Sequence, residues 1–327
     1  MSAVITLLAA AVLTAILTSL VRTLVLRRGW FDVPGERSMH RAPVPSGGGI
    51  AIAIVVIVGL LWTSDFSLEI MLVAMSLAVI GFIDDVSPLP ILPRLLAQVI
   101  AVSVGLYSLG GAPELSFAGY AFSPIFANLL FGLACLWFLN LYNFMDGTDG
   151  LAASELVFVA LAAAWLEGGT NHAPQWFVLA GAGVGFLVWN VPPARIFMGD
   201  AGSAFLGFVL AMLLVHAVSR NSFSLWAAII LVAPFVCDAT VTLLRRFLRG
   251  ELWYRPHMMH AYQCLARRWG SHGRVLIVLA AVNFGFVLPA AKIAEMEPAW
   301  APFIAGLVFA VLSMLVYRSG AGRKVES

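Results

Sequence analysis

Eleven apolar runs, each close to the length that crosses a lipid bilayer, divide this chain, with short polar interruptions between them. They lie near 3–26, 48–64, 67–83, 94–111, 122–141, 150–167, 175–191, 203–219, 222–244, 274–293 and 299–317. Of the 327 residues 61% are hydrophobic and 11% charged, where soluble domains carry roughly 25% charged residues. The expectation is an all-α integral membrane protein, one polytopic domain over residues 1–327 with about 11 (10–11) transmembrane helices. The lower count allows for 48–64 and 94–111, which are short or carry a polar residue such as Gln98. The first run lacks a basic leader and a small-residue cleavage site before Arg27 and Arg28, so it reads as a retained span.

The basic residues test the count. If eleven helices alternate, the segments after odd-numbered helices share one face, and with Arg22 they hold 17 of the 19 Lys and Arg residues. Only Arg220 and Lys292 fall on the other. Short basic loops stay cytoplasmic, which puts the N-terminus outside, the C-terminus in the cytoplasm and the active site at the cytoplasmic face. The basic residues follow topology, so no nucleic-acid partner is implied. Cys135, Cys237 and Cys264 lie in spans or on the reducing side and suggest neither a disulfide nor a thiolate metal site.

Acidic residues gather at the same cytoplasmic end. "GFIDDVSPLP" closes one helix with Asp84 and Asp85, "NLYNFMDGTDGLAA" spaces Asn140, Asn143, Asp146 and Asp149 every third residue, and "FMGDAGSAF" sets Asp200 between glycines. A helix turns about 100° per residue, so the Asn140 to Asp149 row would fan across half a circumference on a continuous helix. If one helix ends near Asn143 and the next begins near Asp149, the same groups point into one pocket. Helix N-capping is the plainer role for Asp149 and Ser203 taken singly. Converging carboxylates and amides supply oxygen ligands, which suit Mg²⁺ or Mn²⁺ better than zinc.

Two more segments lie on this face. "GERSMHRAPVPSGGGI" joins Arg37, His40 and Arg41 to Gly47, Gly48 and Gly49, whose backbone N–H groups could hold phosphate oxygens, unless the segment is only a Gly/Pro turn. The 245–273 connection carries basic residues, aromatics, His257 and His260, and reads as a cytoplasmic substrate-recognition loop. Within it Arg267, Arg268 and His272 fit a surface amphipathic helix. Arg195 is placed to pair with Asp200 or with a phosphate.

In the order "RSMHRAPVPSGGG", "DDVSPLPILPRLLAQ", "NLYNFMDGTDGLAA", "WNVPPARIFMGDAGS" and "RPHMMHAYQ", the chain resembles the polyprenyl-phosphate N-acetylhexosamine-1-phosphate transferases. The resemblance implies transfer of a sugar 1-phosphate from a UDP-N-acetylhexosamine to undecaprenyl phosphate in the bacterial inner membrane. It further implies a homodimeric tendency and catalytic roles for Asp84, Asp85, Asp146, Asp149 and Asp200. Asn143 and Asp200 become the Mg²⁺ ligands, and Arg37, His40, Gly48, Asn140, Asn190, Arg195, His257 and His260 the substrate-binding set. "HMMH" replaces the three consecutive histidines of the peptidoglycan branch, which points to the branch that starts O-antigen or other surface polysaccharides. Ser46 stands where the family is often basic. The rival reading is a secondary transporter, but its site would lie near the midplane of repeated halves, whereas these carboxylates lie at one end.

Overall fold

The computed structural model describes residues 2–32, 39, 43–64, 66–117, 120–168, 173–252 and 257–323. The helices are α1 (Ala3–Arg28), α2 (Gly49–Thr63), α3 (Leu68–Val86), α4 (Ile91–Ser108), α5 (Pro124–Phe144), α6 (Leu151–Leu166) and α7 (Pro174–Asn190). There follow α8 (Asp200–Ser219), α9 (Leu225–Leu231), α10 (Ala233–Leu248), α11 (Ala261–Trp269), α12 (His272–Val282), α13 (Leu288–Met296) and α14 (Ala301–Ser319). Two-residue antiparallel pairs, Phe31–Asp32 with Val44–Pro45 and Ser116–Phe117 with Tyr120–Ala121, tie off two connections.

Each of the eleven apolar runs holds helix. Among the described residues six helices are long and apolar enough to cross a membrane, or seven if the bent α9–α10 pair counts as one span. The protein is therefore a multi-pass, all-helical membrane protein. The ninth run is not one helix, as the sequence suggested: α9 and α10 meet at a 67° bend. Pro234 stands in the first turn of α10, and without an N–H it cannot continue the α9 hydrogen-bond ladder. The tenth run is interrupted by a π-helical turn, Asn283–Val287, just ahead of Pro289, where a widened turn absorbs the bond that proline lacks.

Burial separates the helices into a centre and a rim. Nearly every residue of α8 is buried, whereas α1 leaves Leu13, Ile16, Leu20 and Leu24 exposed, the surface that lipid would cover. Lipid tails are as apolar as these side chains, so close packing rather than hydrophobic burial holds membrane helices together. Two glycines on α7 set that packing. A Cβ at Gly181 would lie 2.3 Å from the Leu7 carbonyl oxygen, and one at Gly185 would lie 2.2 Å from that of Ala11. On α2, a Cβ at Gly49 would lie 2.2 Å from the Gly202 Cα of α8.

Gly185→Val should therefore force α7 from α1 and lower stability by about 1–3 kcal/mol, the usual cost of overpacking. Thermal unfolding in detergent checks this against Gly306→Ala, whose site on α14 has open space around it and should lose no stability.

Candidate active site

The helices end together around one cavity of about 960 Å³. Its polar wall comes from the α3 C-terminus (Asp85), the α4 N-terminus (Arg94), the α5–α6 junction (Asn140, Asn143, Asp146, Thr148, Asp149), Asn190, Asp200 and the 257–272 segment (His257, His260, Tyr262, Gln263, His272). Its apolar wall comes from Ile91, Leu95, Leu133 and Trp137, all four of them exposed.

The α5–α6 junction parts as the residue spacing demands. α5 ends at Phe144, and α6 starts after Gly150, whose φ of 76° only glycine adopts freely. Asn190 anchors the turn: its carbonyl oxygen accepts from the Gly150 N–H at 2.9 Å while its amide donates to the Ile196 carbonyl at 2.9 Å. Neither capping role proposed for Asp149 and Ser203 holds. Gly150 and Gly199 are the N-cap residues; Asp149 accepts from the Ala194 N–H at 3.0 Å, and Ser203 donates to the Gly199 carbonyl at 3.0 Å.

The paired aspartates divide their work. Asp85 takes the N-terminus of α8, accepting from the Asp200 N–H at 2.8 Å and the Ala201 N–H at 3.2 Å. A Cβ at Gly199 would strike this carboxylate at 2.3 Å. Asp84 turns toward α4, accepting from the Leu89 N–H at 2.6 Å and pairing with Arg94. The same Arg94 nitrogen reaches Asp200 at 3.0 Å, and the Asn143 amide also hydrogen-bonds Asp200. Arg94 thus takes the place expected of Arg195, which lies outside the described lining of the cavity and against the Trp189 ring instead.

The glycine segment also differs from expectation. The Gly48 and Gly49 N–H groups donate to the Phe197 and Met198 carbonyls at 2.9 and 2.8 Å, so they are not free for phosphate. A Cβ at Gly48 would lie 2.8 Å from Phe186, which makes these glycines packing residues. Arg37 and His40 lie outside the described residues.

The described part of the 245–273 connection that begins at His257 folds over the cavity. Asp238 of α10 accepts from the Ala261 and Tyr262 N–H groups at 2.7 and 3.0 Å, which caps α11. The Tyr262 hydroxyl then donates to the Phe144 carbonyl at 3.0 Å. His260 stacks between His257 and Tyr262, with centroids 4.8 and 5.7 Å away. His272, read from sequence as a surface residue, lines the cavity with Nδ1 3.2 Å from Asp149. Burial would raise Asp149, but the hydrogen bonds from His272 and the Ala194 N–H outweigh it and hold this carboxyl below its ordinary range. Asn140 donates to Gln98 at 2.9 Å and to the Leu136 carbonyl at 2.8 Å. Gln98, the apparent flaw in its span, is therefore the partner that orients Asn140.

Sequence reading missed Arg94, Asp238, Tyr262 and His272 as site builders. Arg94 left one usable signal, a lone cation ten residues after Asp84 at a helix start.

An all-helical membrane chain whose helix termini assemble an acidic cavity beside a lipid-facing wall is built as a polytopic membrane enzyme. Residues 67–218, the stretch containing α3 to nearly all of α8, match Glycosyl transferase family 4. The chain is 30% identical over 292 residues to the probable undecaprenyl-phosphate N-acetylglucosaminyl 1-phosphate transferase of Bacillus subtilis, covering 84% of this chain and 80% of that protein. It is also 30% identical over 314 residues to the decaprenyl-phosphate N-acetylglucosaminephosphotransferase of Mycobacterium tuberculosis, covering 83% and 78%. To the undecaprenyl-phosphate alpha-N-acetylglucosaminyl 1-phosphate transferase of Salmonella typhi it is 28% identical over 331 residues, covering 93% and 87%. The chain belongs to this family, the polyprenyl-phosphate N-acetylhexosamine-1-phosphate transferases.

Burial first, then Asp200 and Asp85, holds the Asp146 carboxyl well above the ordinary carboxylate range, against one opposing hydrogen bond from the Gly199 N–H. Such a group binds its proton more tightly folded than unfolded, so stability falls as pH rises from the ordinary range toward the raised value. Asp146→Asn should flatten that fall and melt higher than wild type at pH 8 in chelator-treated detergent samples. Equal melting temperatures at pH 5 and pH 8 in both proteins would contradict it.

His257 is pushed down to about 3 by burial, with His260 and Arg246 adding to it. Its Nδ1 accepts from the Met259 N–H at 3.3 Å, which leaves the proton on Nε2. Nitrogen NMR of the labelled imidazole should show one neutral tautomer throughout pH 5–8.

Proposed function

We propose that the protein transfers N-acetylhexosamine 1-phosphate, GlcNAc or a related sugar, from a UDP-sugar to undecaprenyl phosphate, releasing UMP. The observation that carries this reading is the two-walled cavity. A lipid-exposed apolar side formed by Ile91, Leu95, Leu133 and Trp137 faces a polar side of Asp85, Arg94, Asn143, Asp146 and Asp200. A prenyl chain suits the first wall, and phosphates with a water-soluble nucleotide suit the second. We place the reaction at the cytoplasmic face of a bacterial inner membrane, in a chain with about eleven spans. It would be the first membrane step of O-antigen or another surface polysaccharide.

Among the described residues no group of three or more His, Cys, Asp or Glu is arranged to hold a metal. The donor set nevertheless fits Mg²⁺, with Mn²⁺ as substitute, because Mg²⁺ is commonly held by one or two carboxylates, with waters and substrate phosphates completing its octahedron. Asp200 and Asn143 would hold it. When bound, the ion would offset the charge of the phosphates as they approach.

The chain's own residues do the rest. A lipid phosphate oxygen attacks the sugar-bearing phosphorus of the donor; the bond to the uridylyl phosphate breaks and its electron pair leaves with UMP. The acceptor has a second pKa near 6 and is already largely dianionic at neutral pH, so no strong base is required. Asp84 fits that economy, because both its oxygens are engaged by Arg94 and the Leu89 N–H. Arg94 supplies fixed positive charge between Asp84 and Asp200, ready to turn to incoming phosphate. The neutral His257 offers a hydrogen-bond donor to the sugar or nucleotide, and the α11 cover, pinned by Asp238, fixes where it points.

Radiolabel transfer from UDP-[³H]GlcNAc to undecaprenyl phosphate, with and without Mg²⁺, tests this. Lipid product should form only with the divalent cation, and Asp200→Asn and Arg94→Ala should each lose roughly 100-fold or more. Product from a different UDP-N-acetylhexosamine alone would reassign the sugar. No product from any donor, with substrate accumulating in vesicles instead, would replace the transferase by a transporter.

A further inference from the structure

Outside the cavity, at the end of α1 and α7, two arginines share one indole. The guanidinium carbons of Arg22 and Arg195 lie 5.8 and 5.9 Å from the Trp189 ring centroid. The ring is pinned, because Trp189 Nε1 donates to the Ala15 carbonyl at 2.9 Å. Arg22 is pinned as well, its Nε donating to the Arg195 carbonyl at 3.1 Å. Two like charges are thereby held on one aromatic platform, and among the described residues neither has a carboxylate partner. Neither lines the cavity, so the catalytic reading makes no use of them.

The surface beside this pair is apolar. Val184 and Val188, one turn apart on α7, are 38% and 57% exposed, and Val191 just past its end is 47% exposed. Tryptophan with arginine at the end of apolar helix surfaces marks the level of lipid head groups, and basic pockets between membrane helices bind anionic head groups.

We infer that Arg22, Arg195 and Trp189 form a binding site for the phosphate of an anionic diacyl phospholipid of the surrounding bilayer. The exposed valines of α7 give the acyl chains an apolar surface near the charges. The guanidinium terminal nitrogens not committed to the protein supply donors for the phosphate oxygens, and cation–π contact keeps both heads in place. The site joins α1, which lies outside the matched residues 67–218, to the loop leading to Asp200. A bound lipid would therefore brace the outer helix against the catalytic segment.

The test is lipid titration of the purified full chain in zwitterionic detergent, read by native mass spectrometry and by melting temperature. Phosphatidylglycerol and phosphatidylcholine with identical acyl chains are the probes. Phosphatidylglycerol should bind roughly 30-fold tighter, the worth of two surface charges, and should raise the melting temperature. The Arg22→Gln/Arg195→Gln double variant should bind both lipids alike, whereas Arg27→Gln/Arg28→Gln, at the exposed end of the same helix, should keep the preference. If the first double variant does not fold, Arg195→Gln alone should lose a substantial part of the preference. Equal affinities in the wild type, a preference surviving in the Arg22/Arg195 variant, or equal loss in both double variants would overturn the site. Competition by millimolar inorganic phosphate that removes the lipid effect would assign it to free phosphate instead.

Discussion

The acceptance of two backbone N–H groups by one carboxylate underlies this protein's active end. Asp85, in the last turn of α3, takes the first donors of α8, and a helix N-terminus carries both unsatisfied donors and the positive end of the helix dipole. The contact fixes the most buried helix of the bundle against α3 at the depth where Asp200 begins. Gly81 and Gly199 permit it, since a Cβ at either would collide with Asp200 backbone or the Asp85 carboxylate. Asp238 repeats the device at α11, and Asn190 a neutral form of it at the α5–α6 turn. The cavity is thus assembled from helix ends stitched by side chains from other helices.

That construction gathers more negative charge than the fold alone would favour. Asp84, Asp85, Asp146 and Asp200 converge with Arg94 as the cation held among them. Functional sites commonly hold groups in arrangements that cost stability and are balanced elsewhere. Elsewhere the helices approach closely at Gly49, Gly181 and Gly185. Under the proposed reaction, such an acidic site would suit a divalent cation together with phosphate-bearing substrates, and the apolar wall would take the prenyl chain.

The residue spacing in "NLYNFMDGTDGLAA" made the helix break legible, because no continuous helix could aim that row at one place, and α5 and α6 part where it requires. The 67° bend between α9 and α10 was missed because the run from 222 to 244 was read by hydropathy, which carries no angle; Pro234 within it was the local signal. Arg195 and Arg94 show the same limit among charges. Both stand near acidic motifs in sequence, yet only Arg94 projects from a helix start that faces Asp200. His272 looked like a surface residue because its own segment is polar, and only the folding of α11 over the cavity brings it to Asp149.

The sequence by itself determined the membrane character, the helical class, the family and most of the carboxylates and amides that line the cavity, because hydropathy and motif spacing are properties of the chain read locally. Tertiary structure decided which cation meets which carboxylate, that Gly48 and Gly49 pack against the α8 region rather than waiting for phosphate, and that α11 closes over the cavity. Those outcomes depend on where helix ends meet in space. That is set by backbone approach distances and bend angles between segments more than a hundred residues apart, as with Asp85 and Asp200, and no local pattern encodes them.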